Sequence, residues 1–238
     1  MFVIGVAGQA QMGKDTLADR LKEKLNDAGG RWERAAFAAN VKRVFTDTFG
    51  VDLAFVEKWK VIPETPPGFD MTVRQGLQFI GDGFRKIVPT IWLDLAFRDR
   101  SVPKIISDVR YVNEFVRVKK EGGMNILVGR PDKLNDDPNG SEAQIRPYIL
   151  WALENLKDCE PIGPQLFKLA SVEAMGGGTQ SAPPEHMECF DIFVRNDGTK
   201  DEFYDKIEKI IVPFVQKFVF EFPGDSGEKE EKQCLISS

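Results

Sequence analysis

Residues Gly8 to Thr16 read Gly-Gln-Ala-Gln-Met-Gly-Lys-Asp-Thr, two glycines with four residues between them and a lysine directly after the second. Glycines let a backbone curl until successive N–H groups face one anion, and a lysine at that point sets a mobile positive charge against outer phosphates. The spacing predicts a phosphate-cradling loop whose contacts are Gly8, Gly13, Lys14, Asp15 and Thr16. Such loops usually place Ser or Thr after the lysine to touch Mg²⁺, but here Asp15 holds that place and Thr16 follows. Either suits a metal that prefers oxygen ligands and keeps several waters.

An acidic residue at the end of a second apolar strand is the usual partner of such a loop, because it orients the metal or its waters. Asp108 is that candidate, its alternative being an N-cap for the helix from Tyr111 onward. Arg110 in the same turn and Arg130 at the end of the next strand offer planar forks for phosphate oxygens. Surface ion pairing is the competing reading of both. Arg74, Gln75 and Gln78 share one helix face at spacings of three and four, with Arg85 further along. That face either holds a monophosphate through Arg74 and a base edge through an amide such as Gln78, or is merely solvated. His186 is the sole histidine and lacks partners at usual ligand spacing, so a loop role is expected rather than metal binding.

These residues need a scaffold that brings strand ends together. Phe2 to Ala7 is a short apolar run of the buried parallel kind, and Leu17, Ala18, Leu21 and Leu25 then recur at helical spacing until Gly29 and Gly30. Alternation continues with a strand over Arg34 to Ala38 and a helix over Val41 to Phe49. A short helical stretch then meets Pro63, Pro66 and Pro67, and Thr72 caps a helix through Val73, Leu77, Ile80, Phe84 and Ile87. Further elements are a helix over Ile91 to Phe97, a strand over Lys104 to Asp108, a helix over Val112 to Lys120 and a strand over Asn125 to Val128. Regularity breaks down from Asp132 to Glu188, apart from a helix near Tyr148 to Leu156, and the Gly176-Gly177-Gly178 run suggests a mobile lid. A strand over Phe190 to Val194 and a helix capped by Thr199, running to about Phe218, close the fold. The pattern predicts an α/β protein with three layers and a parallel central sheet, a single domain over residues 1–222 with an insertion over about 132–188, and a disordered charged tail over 223–238. Ligands on such sheets sit beyond the carboxyl ends of the strands, where Gly8 to Thr16, Asp108 and Arg130 fall.

Composition narrows the partners. The 238 residues suit one α/β domain with a full core, and a formal net charge of −5 argues against broad nucleic-acid binding. No apolar stretch is long enough to cross a bilayer and no cleavable leader is expected, which together predict a cytoplasmic protein. Cys159, Cys189 and Cys234 are few and scattered, so they suggest neither a disulfide framework nor a zinc site.

Five segments in order sharpen the reading: Gly8 to Thr16, Thr72-Val-Arg-Gln-Gly-Leu-Gln78 with Gly81 and Trp92, Ser107-Asp-Val-Arg-Tyr-Val-Asn-Glu114, Val128-Gly-Arg-Pro131 and Arg195-Asn-Asp-Gly-Thr199. Together they resemble the motif set of the bacteriophage deoxynucleoside monophosphate kinases, over most of the chain from Met1 to about Ile211. The resemblance implies an adenylate-kinase-like P-loop NTPase fold, Mg²⁺ and ATP as phosphoryl donor, and a deoxynucleoside monophosphate acceptor handled by a monomer or homodimer, in host cytoplasm if phage-encoded. It implies that Lys14 serves the ATP phosphates, with Arg74, Gln78, Asp108, Arg110 and Arg130 around the acceptor and transfer site. Asp15, Thr16 and Asp108 are then the metal candidates, and Lys14, Arg110 and Arg130 the catalytic ones. The sequence departs from the family's His-x-Ser/Thr-Glu motif, since Asn139-Gly-Ser-Glu142 lacks the histidine. Dephospho-coenzyme A or phosphomevalonate kinases, and a nucleotide-binding protein without transfer, are the alternatives.

Overall fold

Every position of β1 (Val3–Ala7) is buried, as an unbroken apolar run requires of a strand covered on both faces. The computed structural model describes residues 1–136, 141–167 and 181–221. In them β1 is the middle strand of a five-stranded sheet with β2 (Glu33–Ala35), β3 (Lys104–Val109), β4 (Met124–Gly129) and β5 (Ile192–Arg195), in the order β2-β3-β1-β4-β5. All pairings are parallel. The expected α/β architecture with a parallel central sheet and P-loop is therefore present.

Parallel strands need crossovers, and right-handed crossovers decide which face each helix covers. The chain leaves β1 through α1 (Lys14–Asp27) toward β2, but leaves β3 through α6 (Val112–Lys120) in the opposite direction toward β4. The two helices therefore lie on opposite faces. Leu17, Ala18, Leu21 and Leu25 are the buried stripe of α1, as their spacing predicts. On the other face Phe115 of α6 meets Tyr148 edge-on, with ring centroids 5.2 Å apart. Between β2 and β3 the chain forms α2 (Phe37–Phe49), α3 (Leu53–Trp59), α4 (Val73–Ile87) and α5 (Ile91–Ala96). Thr72 begins α4 with a capping box, its hydroxyl accepting from the Gln75 N–H while Gln75 returns a bond to the Thr72 N–H.

Three expectations change. The second strand ends at Ala35 and α2 starts at Phe37, four residues before Val41, because Asp108 caps it from across the sheet. Ile87 keeps helical spacing but is 78% exposed, so the apolar face of α4 stops short of its end. The insertion is not loose throughout: α7 (Ser141–Asn155) starts well before Tyr148, runs through Pro147, and buries Ile145, Ile149 and Ala152 completely in the main core. The glycine run 176–178, the residues around Asn139 and the tail 223–238 lie outside the described residues. After β5, α8 (Lys200–Lys206) passes through a π turn, Ile207–Ile211, into α9 (Val212–Glu221). Among the described residues no helix is long and apolar enough to cross a membrane.

Candidate functional site

The sheet register sets Ala7, the last residue of β1, beside Val109 of β3 and Leu127 of β4. The chain then turns through Gly8 to Gly13, and Lys14 opens α1. The N–H groups of the turn and of the first helical turn thus converge at the helix N-terminus, where the dipole favours an anion. Gly13 makes this geometry possible: its φ of 93° is left-handed, and a Cβ would stand 2.5 Å from Asn196 Nδ2. Asn196, at the end of β5, fixes the loop from behind. Its Nδ2 donates to the Met12 carbonyl at 3.0 Å while its own N–H donates to Gly129 at 2.8 Å.

Lys14 is buried, and its Nζ donates to the Gln9 carbonyl. Loss of water, and next the charge of Arg110, lower its pKa to about 8. Facing it is a hydrogen-bonded cluster that ties the loop to the start of α7. Glu142 is buried, and its Oε1 accepts from the Ala10 N–H at 3.1 Å and pairs with Arg110 at 3.1 Å. Gln9 adds a two-way clasp to Asn135, donating to its carbonyl and accepting from its N–H at 2.9 Å each. The turn that aims Arg110 is held by Glu114, whose carboxylate accepts from the N–H groups of Arg110 and Tyr111 at 2.7 and 3.0 Å. Burial, and next the charge of Asp108, push Glu114 up to about 8.

Beside the loop, Asp15 Oδ1 accepts from Ser107 Oγ at 2.7 Å and from Arg34 Nη2 at 2.8 Å. Burial alone would raise Asp15, but those two bonds together with the charges of Arg34 and Lys14 hold the carboxyl below its ordinary range. Thr16 is half-buried next to it. Asp108 corrects its competing reading: it caps α2, not the helix after Tyr111, accepting from the N–H groups of Phe37 and Ala38 at 2.9 and 2.8 Å. Carboxylates and a hydroxyl form an all-oxygen donor set, which is what Mg²⁺ takes.

The expected residues are thus gathered unequally. Lys14 and the half-buried Arg110 share one cluster around the buried Glu142. Arg130 stands at the end of β4 as foreseen, but its Nε pairs with Asp132 at 2.8 Å, the ion pair that was its other reading. Arg74 and Gln78 are exposed on α4. With Gly81 and Arg85 they form a stripe roughly 60° wide at 100° per residue. Arg85 connects that stripe to the cluster, its guanidinium lying 4.3 Å from the Tyr111 ring centroid and 3.9 Å from Glu114. Sequence reasoning gave no role to Gln9, Arg34, Asn135, Glu142 or Asn196. Gln9, Asn196 and Glu142 stood in quoted motifs, while Arg34 and Asn135 had no local signal.

Loop, strand order and helix N-terminus define a P-loop α/β protein. No family model matches the chain. It is 28% identical over 165 residues to a candidate deoxynucleotide monophosphate kinase of Acanthamoeba polyphaga mimivirus, a match covering 61% of this chain and 83% of that protein. Among solved structures, a shikimate kinase from Acinetobacter baumannii in complex with shikimate aligns over 91% of this chain and 94% of its own, with a TM-score of 0.41 and 13% identity. A dephospho-CoA kinase from Campylobacter jejuni aligns over 90% and 97%, with a TM-score of 0.37 and 13% identity. At such scores the fold class rests on strand order and loop geometry, not on these alignments.

Proposed function

We propose that this chain is a P-loop kinase that moves the γ-phosphoryl group of ATP onto the phosphate of a deoxynucleoside 5′-monophosphate. The observation that carries the proposal is the convergence of Lys14, on a glycine-built loop at a helix N-terminus, with the half-buried Arg110 from the neighbouring strand end around the buried Glu142. Phosphoryl transfer asks for little covalent chemistry, so positioning and charge are what a protein contributes. Lys14 and the loop N–H groups bind the donor phosphates. Arg110 faces them and binds oxygens as charge spreads in the transition state. Mg²⁺, which Asp15, Thr16 and Asp108 suit, supplies further neutralisation of the phosphates. Glu142 accepts the Ala10 N–H and the Arg110 guanidinium in their place, so a phosphate entering there competes with its carboxylate.

The acceptor belongs along the α4 stripe, where Arg74 and Gln78 offer a fork and an amide and Arg85 leads to the transfer site. Arg130 requires release from Asp132 to take part. The mimivirus relative supports a deoxynucleotide as acceptor. The test is a product assay of the purified protein with Mg-ATP and, in turn, each deoxynucleoside monophosphate, dephospho-coenzyme A, phosphomevalonate and shikimate. A deoxynucleoside diphosphate product is expected. Transfer only to another acceptor would move the protein to a different kinase class, and nucleotide binding without any product would end the transferase reading.

A further inference from the structure

Just before β5 the chain makes a short 3₁₀ turn, Met187–Cys189, inside the run Glu185-His-Met-Glu-Cys189. In five residues this run holds an imidazole, a thiol and two carboxylates, and the turn brings them together. One ligand atom each from His186, Glu188 and Cys189 lies within 4.8 Å of the others. Glu188 Oε1 is 3.8 Å from His186 Nδ1, and Glu185 Oε1 is 3.6 Å from Nε2 on the far side of the same ring.

We propose that His186, Glu188 and Cys189 form a binding site for a borderline-soft divalent cation, zinc foremost, at the junction between the insertion and β5. A thiolate, an imidazole and a carboxylate are the zinc donor set, with bonds of about 2.0 to 2.3 Å. Ligand atoms around such an ion stand roughly 3.3 to 3.8 Å apart; the His186–Glu188 pair already stands at 3.8 Å, and no separation in the set exceeds 4.8 Å, so modest side-chain adjustment closes it. The softness of sulfur separates this site from the all-oxygen set near Lys14, which favours Mg²⁺. With the cation on Nδ1, the Nε2–H faces Glu185, the carboxylate–histidine arrangement that fixes a ligating ring. A water completes a tetrahedron.

The backbone holds these groups in place without a metal. His186 sits at φ 67°, the Cys189 N–H donates to the His186 carbonyl at 3.0 Å, and the Cys189 carbonyl accepts from Asn125 Nδ2 at 3.0 Å. Tyr148 O–H donates to the Glu185 carbonyl at 2.7 Å, tying the turn to α7. A cation here stiffens the turn that Tyr148 of α7 holds, directly before β5.

Titration of the metal-free full chain with zinc by calorimetry, in excess MgCl₂, is the test, with cobalt absorption as a second readout. One equivalent is expected to bind, and cobalt is expected to give a thiolate charge-transfer band. That band should persist in Cys159→Ser and Cys234→Ser and vanish in Cys189→Ser. Because Cys189 is buried and its loss can disturb folding, Glu188→Gln, at an exposed position, provides the folding-neutral arm, and His186→Ala, at a left-handed φ that alanine adopts less readily, is read beside its far-ultraviolet circular dichroism; each is expected to weaken zinc by about tenfold or more. A cobalt spectrum without the thiolate band, or zinc affinity unchanged in His186→Ala, would overturn the proposal. Neither result touches the kinase reading, which is judged by product formation alone.

Discussion

Lys14 has to carry a positive charge where burial opposes it. Desolvation and then Arg110 bring its pKa to about 8, so near neutrality the ammonium is mostly formed but titrates within reach. A triphosphate beside Nζ favours the charged form, so binding takes up a proton wherever the pH exceeds the free value. Affinity is therefore full below about pH 8 and falls as pH rises through it. The loss expected for a non-hydrolysable ATP analogue is about tenfold between roughly pH 7 and 9, read by calorimetry in buffers of different ionisation enthalpy. Lys14→Met should abolish the slope, and a slope that survives would place the titrating group elsewhere. Lys14→Ala should lower turnover by about a hundredfold or more with an unchanged far-ultraviolet circular dichroism spectrum. A variant that kept most of its turnover would remove Lys14 from the transfer site.

Asp108 is where elements meet, since a residue of β3 supplies both caps for α2. Asp108→Ala leaves the Phe37 and Ala38 N–H groups without their acceptors and should cost about 1 to 2 kcal/mol in urea unfolding. Asp108→Asn keeps one of the two acceptor oxygens, so it should recover part of that stability. If the charge also serves the metal, Asp108→Asn remains poor in turnover, and the two variants separate the roles. An Asp108→Ala protein as stable as the parent would remove the cap. The same contact explains a boundary that local pattern misplaced. Nothing within residues 33–41 announces a helix start at Phe37, because its acceptor stands about seventy positions away. The helix expected near Tyr148 likewise begins earlier, at Ser141, with Pro147 inside it. Proline reads as a breaker, yet it lies in the first half of α7, where the complete burial of Ile145, Ile149 and Ala152 sustains the helix.

For the molecule as a whole, the alternation of apolar runs and helical stripes was enough to place five parallel strands and to set Gly8, Asp108 and Arg130 at their carboxyl ends. Local pattern could not show which side chains cross the space between those ends. The bonds from Glu142 to Ala10 and from Asn196 to Met12 join residues more than a hundred positions apart. Such contacts leave no periodic trace. They also bury charge, and buried charge makes stability depend on pH. Glu114 titrates near 4.5 in the unfolded chain and is pushed up to about 8 in the fold, by burial first and Asp108 second. Between those values the folded protein holds a proton that the unfolded chain has released, so unfolding becomes easier as pH rises. Asp191, also raised by burial, adds to the same fall at the lower end of the window. Lys14 acts in the opposite sense, but only above about pH 8, where the fold has given up a proton the unfolded chain keeps. The midpoint of urea unfolding is therefore expected to decline from about pH 5 to about pH 8. Glu114→Gln retains an acceptor for the Arg110 and Tyr111 N–H groups and cannot ionise, so it should flatten most of that decline. If Glu114→Gln followed the parent curve point for point, Glu114 would be ionised throughout, and burial would not govern the turn that aims Arg110.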